Sequence, residues 1–107
     1  MFARNVSVRL KPNVIDEFSR KIEKEIIPLL RKQKGFQDEI SLVNPDGTQA
    51  VGISLWDTEE SAKAYARGAF PEVLRAMSEL VEGTPDVHTY EVANSTLHKI
   101  AAPPATV

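Results

Sequence analysis

Apolar residues in this chain keep two different rhythms, and the order in which the rhythms alternate leaves few folds open. Residues 3–10 alternate: Val6, Val8 and Leu10 fall on one face, and Asn5, Ser7 and Arg9 on the other. A period of two with β-branched residues specifies a half-buried strand. Lys11 and Pro12 end it, because proline has no N–H to give to a ladder. The step then changes. Ile15, Phe18, Ile22, Ile26 and Leu29 recur at helical spacing and make one apolar stripe on a long amphipathic helix. Asn13 is the expected N-cap, and Asp16 faces the dipole in the first turn. Glu17 and Lys21 sit one turn apart on what reads as a solvated face. Pro28 removes one backbone donor and crowds the carbonyl of Lys24, so a kink is expected there. Arg31, Lys32 and Lys34 suit the negative end of the dipole, and Gly35 supplies a left-handed stop.

The second half repeats the strand and helix rhythms in a different order. FQDEISLV (36–43) and TQAVGISLW (48–56) read as strands joined through the turn NPDG (44–47), which makes a hairpin. On the latter strand Val51, Ile53 and Leu55 mark one face, and Gly52, Ser54 and Trp56 the other. Asp57 and Glu60 have capping-box spacing. The helix they open falters at Gly68 and restarts at Pro71, carrying Phe70, Val73, Leu74, Met77, Leu80 and Val81. Gly83, Thr84 and Pro85 are expected to end it, and DVHTYEVANSTLH (86–98) is the last expected strand. Residues 99–107 read as a flexible, Pro-rich tail behind a domain of residues 1–98.

The order is therefore strand, helix, strand, strand, helix, strand. Right-handed crossovers place such an order in an α+β, ferredoxin-like βαββαβ fold, with an antiparallel sheet in the order 4-1-3-2. The helices are expected to cover Val6, Val8, Leu10, Val51, Ile53 and Leu55. That leaves Asn5, Ser7, Arg9, Ser54 and Trp56 on a mixed open face, a candidate for sheet-to-sheet dimerisation. Composition narrows the partners. A chain of 107 residues suits one domain. A formal net charge of -2 gives no electrostatic reason to bind nucleic acid. There is no cysteine, which excludes disulfides and thiolate chemistry. No apolar run approaches the ~20 residues that span a bilayer. MFARNVSVRL alternates where a signal peptide would be continuously apolar, so a cytoplasmic protein without a membrane partner is expected.

Four segments carry a resemblance: the KPN turn (11–13), PLLRKQKGF (28–36), LWDTEESAKAY (55–65) and HTYEV (88–92). In this order and spacing the chain resembles the antibiotic biosynthesis monooxygenase-like family of the dimeric α+β barrel superfamily, over about residues 3–95. The resemblance implies a homodimer whose sheets pack face to face, with the C-terminal strand reaching onto the partner. Proteins of that superfamily include cofactor-free oxygenases, haem-degrading enzymes, isomerases, dehydratases and proteins without known activity. The cofactor-free monooxygenases use a strand-end tryptophan with an asparagine and a tyrosine close by. Trp56 matches the tryptophan, whereas Gly52 and Ala62 stand at the other two positions. Haem-degrading relatives use a histidine on the second helix and an asparagine on the first strand. The second helix here has no histidine, and Asn5 lies on the face opposite Val6. The resemblance thus implies a cofactor-free oxygenase or isomerase acting on a small aromatic or polyketide-like molecule. The alternative is a non-catalytic small-molecule-binding or dimeric assembly module.

Within that frame the catalytic candidates are His88 and Trp56, and the ligand-binding candidates are Tyr65, Tyr90, Phe18 and Asn5. Imidazole titrates near neutrality, so His88 could move a proton beside a bound ligand; it could equally be a hydrogen-bonded structural histidine. Trp56 is either a wall of the site or packing at a seam. Tyr65, Phe18 and Tyr90 could line an aromatic cleft between helices and sheet, or simply fill the core. No metal site is expected. His88 and His98 are ten residues apart, about 33 Å along an extended strand, and cannot share an ion. Asp38 and Glu39 are adjacent on a strand and point to opposite faces, so they are not a paired-carboxylate site.

Overall fold

The computed structural model describes residues 1–100; the last seven residues of the expected tail, 101–107, lie outside them. The alternating segments become β1 (Phe2–Leu10), β2 (Phe36–Val43), β3 (Gln49–Trp56) and β4 (Val81–Glu91). They form one antiparallel sheet in the order β2-β3-β1-β4, which is the expected 4-1-3-2 order read from the other edge. The helical segments become α1 (Ile15–Lys21), α2 (Ile27–Arg31), α3 (Glu59–Arg67) and α4 (Phe70–Met77). No helix among the described residues is long and apolar enough to cross a membrane.

Several local details differ from expectation, each for a physical reason. Asn13 does not cap α1: it takes a left-handed conformation (φ 61°), which asparagine tolerates, and Val14 becomes the N-cap without a side-chain bond. Pro28 produces a π-helical turn at Ile22–Ile26, between α1 and α2. There the Ile27 N–H bonds to the Ile22 carbonyl, so the ladder shifts by one residue just before the missing donor. The cap of α3 is Thr58, one residue after Asp57; its Oγ1 accepts from the Ser61 N–H at 3.1 Å. Gly35 takes the expected left-handed conformation (φ 82°), but α2 has already ended at Arg31 with Lys32 as its C-cap, and the glycine turns the chain into β2. A Cβ at Gly35 would also overlap the Asp57 carboxylate and the Ser61 side chain, so the start of α3 packs directly on this glycine.

The last strand moves most. The helix ends at Met77, and β4 begins at Val81 and ends at Glu91, in place of 86–98. The expected breakers Gly83, Thr84 and Pro85 lie inside the strand, where the pairing with β1 shifts between Ser7 and Arg9. A bulge accommodates a left-handed glycine (Gly83, φ 72°) and a proline without ending the ladder. Beyond β4 the chain returns across the sheet, and the His98 imidazole meets the Asp38 carboxylate on β2.

The register also corrects the faces of β3. Phe2 pairs with Trp56, Arg4 with Ser54, Val6 with Gly52 and Val8 with Ala50. Directly opposed residues of an antiparallel pair share a face. Trp56, Ser54, Gly52 and Ala50 therefore lie under the helices with Val6, Val8 and Leu10, and Val51, Ile53 and Leu55 lie on the open face. The core is built from Phe2, Leu10, Phe18, Ile26, Leu30, Ala50, Trp56, Ala62, Tyr65, Val73, Met77 and Leu80. The open face is itself apolar along β2 and β3, where Ile40 and Leu42 are exposed beside Val51 and Ile53.

Candidate functional site

The helix-facing side of the sheet can be followed rung by rung. One rung is aromatic, Phe2–Trp56–Phe36. The next is polar, Arg4–Ser54–Glu39, and the two beyond it are Val6–Gly52–Ser41 and Val8–Ala50–Val43. Small side chains at Gly52 and Ala50 lower the floor, and the helices cannot fill the space. A cavity of about 90 Å³ remains. Its floor is Val6, Val8, Ala50, Gly52 and Ser54; its roof is Phe18, Ile22, Ile26, Leu30, Tyr65, Phe70, Val73, Leu74 and Met77. Glu39 and Ser41 stand at its β2 side. Phe18, Ile22, Glu39 and Ser41 also line a surface groove of about 230 Å³ between the first helical segment and the β2 edge.

Trp56 is wholly buried at the inner end of this layer. Its Nε1–H donates to Ser54 Oγ at 2.9 Å, which satisfies the indole donor. Tyr65 stacks on it with ring centres 4.8 Å apart, and Phe36 meets it edge-on at 5.6 Å. Phe70 continues the aromatic layer at 5.8 Å from Tyr65. The Arg4 guanidinium lies over this layer, 4.6 Å from the Phe70 ring centre and 5.5 Å from that of Tyr65. Arg4 is only 5% exposed, and its Nε and Nη2 have no hydrogen-bond partner among the described residues.

The electrostatics follow from burial. Desolvation lowers the pKa of Arg4, with the nearby Tyr65 opposing it. Tyr65 is pushed up to about 12 by burial; Arg4 pulls it down and Glu39 pushes it further up. Burial also raises the Glu39 carboxyl, opposed by the bond it accepts from the Ser41 hydroxyl. Two titratable groups, Glu39 and Tyr65, therefore stand in the wall of an otherwise apolar space, and Arg4 lies against Tyr65 and Phe70.

The structure divides the sequence-derived candidates between two sides of the sheet. Phe18 and Tyr65 line the cavity, and Trp56 backs it. Asn5, His88 and Tyr90 do not reach it. Asn5 pairs with His88 and Ala3 with Tyr90, which puts all three on the open face. His88 Nε2 lies 3.5 Å from the exposed Asp86 carboxylate, and Tyr90 is 56% exposed. The expected grouping of Trp56, Tyr65, His88 and Tyr90 in one pocket is thus corrected: the sheet itself separates the pairs. Among the described residues no cluster of three or more His, Asp or Glu side chains is placed to hold a metal ion. Arg4, Ser54 and Glu39 were not singled out from sequence. One signal was present, since Arg4 continues the even-numbered stripe of Val6, Val8 and Leu10 and so puts a charge on the buried face.

This architecture is that of the antibiotic biosynthesis monooxygenases, α+β proteins with a ferredoxin-like fold. A monooxygenase from the gene ActVA-Orf6 of Streptomyces coelicolor, solved in complex with the ligand nanaomycin D, superposes with a TM-score of 0.74 at 19% identity, over 92% of each chain. A protein of unknown function from Nitrosomonas europaea gives 0.73 at 16% identity, over 95% of each chain. A conserved protein from Methanosarcina mazei gives 0.68 at 22% identity, covering 84% of this chain and 91% of its own. No family model matches the sequence, and no curated protein matches it. The likeness is one of fold.

Proposed function

We propose that the helix–sheet cavity binds a small aromatic or polyketide-like molecule, and that the protein is a cofactor-independent oxygenase or isomerase of the antibiotic biosynthesis monooxygenase type. One observation carries this: an apolar cavity bounded by aromatic rings, with the polar groups of Glu39, Ser41, Ser54 and Tyr65 in its wall. Apolar lining with few polar groups is the usual composition of a small-molecule site. The nanaomycin D complex of the Streptomyces monooxygenase supports a small-molecule ligand for this fold. Gly52 and Ala62, at the two positions beside Trp56 where the monooxygenases carry asparagine and tyrosine, favour a second reading, in which the same cavity binds without catalysis.

The functional unit in this proposal is a homodimer. Ile40, Leu42 and Tyr90 are exposed on the open face beside Val51 and Ile53, and a second copy of the same face would bury them. The domain comprises residues 1–98.

Thermal shift with naphthoquinone tests the cavity. A ligand at about a hundred times its Kd stabilises the folded form by about 2.7 kcal/mol. Gly52→Leu is the control. A Cβ there would meet only Glu39 Oε2, at an ordinary 3.8 Å, so a larger side chain enters the cavity space without a backbone clash. Binding lost in Gly52→Leu but present in the parent supports the site; binding unaffected by it refutes the site. Oxygen consumption with the bound quinol then separates oxygenation from binding alone.

A further inference from the structure

The open face of the sheet is covered at one end. Its rungs run Tyr90–Ala3–Leu55–Asp38, then His88–Asn5–Ile53–Ile40, then Asp86–Ser7–Val51–Leu42. Ile40 and Leu42 are 41% and 49% exposed, yet Leu55 and Ala3 on the first rung are each only 9% exposed. The helices pack on the other face and leave these two to the chain beyond β4. That chain has the reach. From β4 to β2 is three strand spacings, about 14 Å, and the seven residues 92–98 span about 23 Å when extended. The crossing is anchored at both ends. The Val92 N–H donates to the Met1 carbonyl at 2.9 Å. At the far side Ser95 Oγ accepts from the N–H groups of Leu97 and His98, at 3.0 and 3.2 Å. That turn presents the His98 imidazole to the Asp38 carboxylate, and both side chains are half-buried.

Resting on the open face as the dimer surface, we infer that residues 92–98 are a strap, latched by His98 on Asp38, which closes over Ala3 and Leu55 and which a second copy displaces when it docks. Two sheets that pack face to face lie about 10 Å apart, which is filled by the side chains of the two inner faces. A further length of backbone does not fit between them, so the strap and the second copy exclude each other. The strap is built to be released. It is held by one backbone bond at its start and one side-chain contact at its end, and Leu97 between them is 63% exposed. Its removal adds Leu55 to the apolar patch of Val51, Ile53, Ile40 and Leu42 and leaves the core under the helices untouched. A closed strap lowers the fraction of chains competent to pair, and the apparent affinity falls with that fraction. Both copies have to release, so the effect on the dimer is the square of the effect on one chain. A half-exposed ion pair contributes a factor of up to about five. The latch therefore weakens the dimer by up to about twenty-five-fold.

The test uses the full chain, which has no cysteine, so that thiols introduced by Asp38→Cys together with His98→Cys are its only ones. A short bismaleimide joins them when the strap is closed. The same double variant with both thiols capped by N-ethylmaleimide is the unlinked reference, so the substitutions themselves cancel. Linkage is expected within one chain. In sedimentation the linked protein is expected to stay monomeric at concentrations where the capped protein is dimeric. His98→Ala, which leaves Asp38 on the open face as it is, should tighten the parent's dimer by up to about twenty-five-fold. A linked protein that dimerises as tightly as the capped one overturns the competition, as does a His98→Ala dimer weaker than the parent's. Mixing chains that carry Asp38→Cys alone with chains that carry His98→Cys alone checks the path of the strap. Covalent pairs formed there as readily as linkage in the double variant mean that the contact is made between copies, which overturns the strap. A parent that stays monomeric while the double variant links within one chain removes the dimer and the competition with it. That result is distinct from a dimeric parent whose double variant fails to link, which removes the strap and keeps the dimer.

Discussion

Alkali should loosen this protein through a single phenol. Tyr65 is 6% exposed, stacked on Trp56, and its pKa is pushed from 10.0 to about 12, chiefly by burial. In the unfolded chain the phenol ionises at its ordinary pKa; in the folded protein it holds its proton for about two further units. The sign is therefore fixed. The folded pKa is raised, so the stabilisation is complete below pH 10 and is lost as pH rises through 12. Two units at about 1.4 kcal/mol each make the loss about 3 kcal/mol. Urea denaturation followed by Trp56 fluorescence across this window should show that decline. The Tyr90→Phe background leaves Tyr65 as the sole tyrosine, so tyrosinate absorbance then reports one group. Tyr65→Phe keeps the ring stack and should flatten the dependence. Removing Arg4 takes away the charge that pulls Tyr65 down, so Arg4→Met should move its titration higher still. The same slope in Tyr65→Phe as in the parent, or Tyr65 ionising at the ordinary phenol pH, would refute the account.

Other outcomes follow from the same packing. Trp56→Ala removes a wholly buried indole and its bond to Ser54, and should cost about 3–5 kcal/mol in denaturant titration. Gly35→Ala meets both a positive φ and the Asp57–Ser61 side chains, so it should lose more than about 1 kcal/mol by the same measurement. Because burial raises the folded pKa of Glu39, its carboxyl favours folding when protonated and loses that contribution as pH rises; Glu39→Gln should flatten the fall in stability from acid to neutral pH. Leu42→Asp on the open face should leave the circular dichroism unchanged and reduce the light-scattering mass from dimer to monomer, and a monomeric parent would remove the dimer from the proposal.

Much of the architecture was legible because periodicity reports on local geometry. The alternation of Val6, Val8 and Leu10, the helical stripe from Ile15 to Leu29, the NPDG turn and the left-handed Gly35 all lie where their patterns placed them. Errors arose where local signals compete. Asn13 and Asp57 both look like caps, yet the backbone took its turns one residue later. Gly83 and Pro85 look like terminators, but a bulge absorbs both. The face of β3 is ambiguous in the sequence for a broader reason: Val51, Ile53 and Leu55 form the more hydrophobic side, and that side is not the one under the helices. A sheet that is apolar on both faces gives alternation without telling which face is inside.

The order and type of the elements, the crossover handedness and hence the sheet order belong to the sequence alone, because propensity, period and turn chemistry act over a few residues. The site belongs to the tertiary structure. The pairing of Phe2 with Trp56 sets every other partner on the sheet, and that one long-range choice carries Trp56, Ser54 and Arg4 inward and leaves His88, Tyr90 and Asn5 outside. A shift of one residue in that register would exchange the two sets. Only the folded sheet decides which side chains share a face, and so which of them can act together.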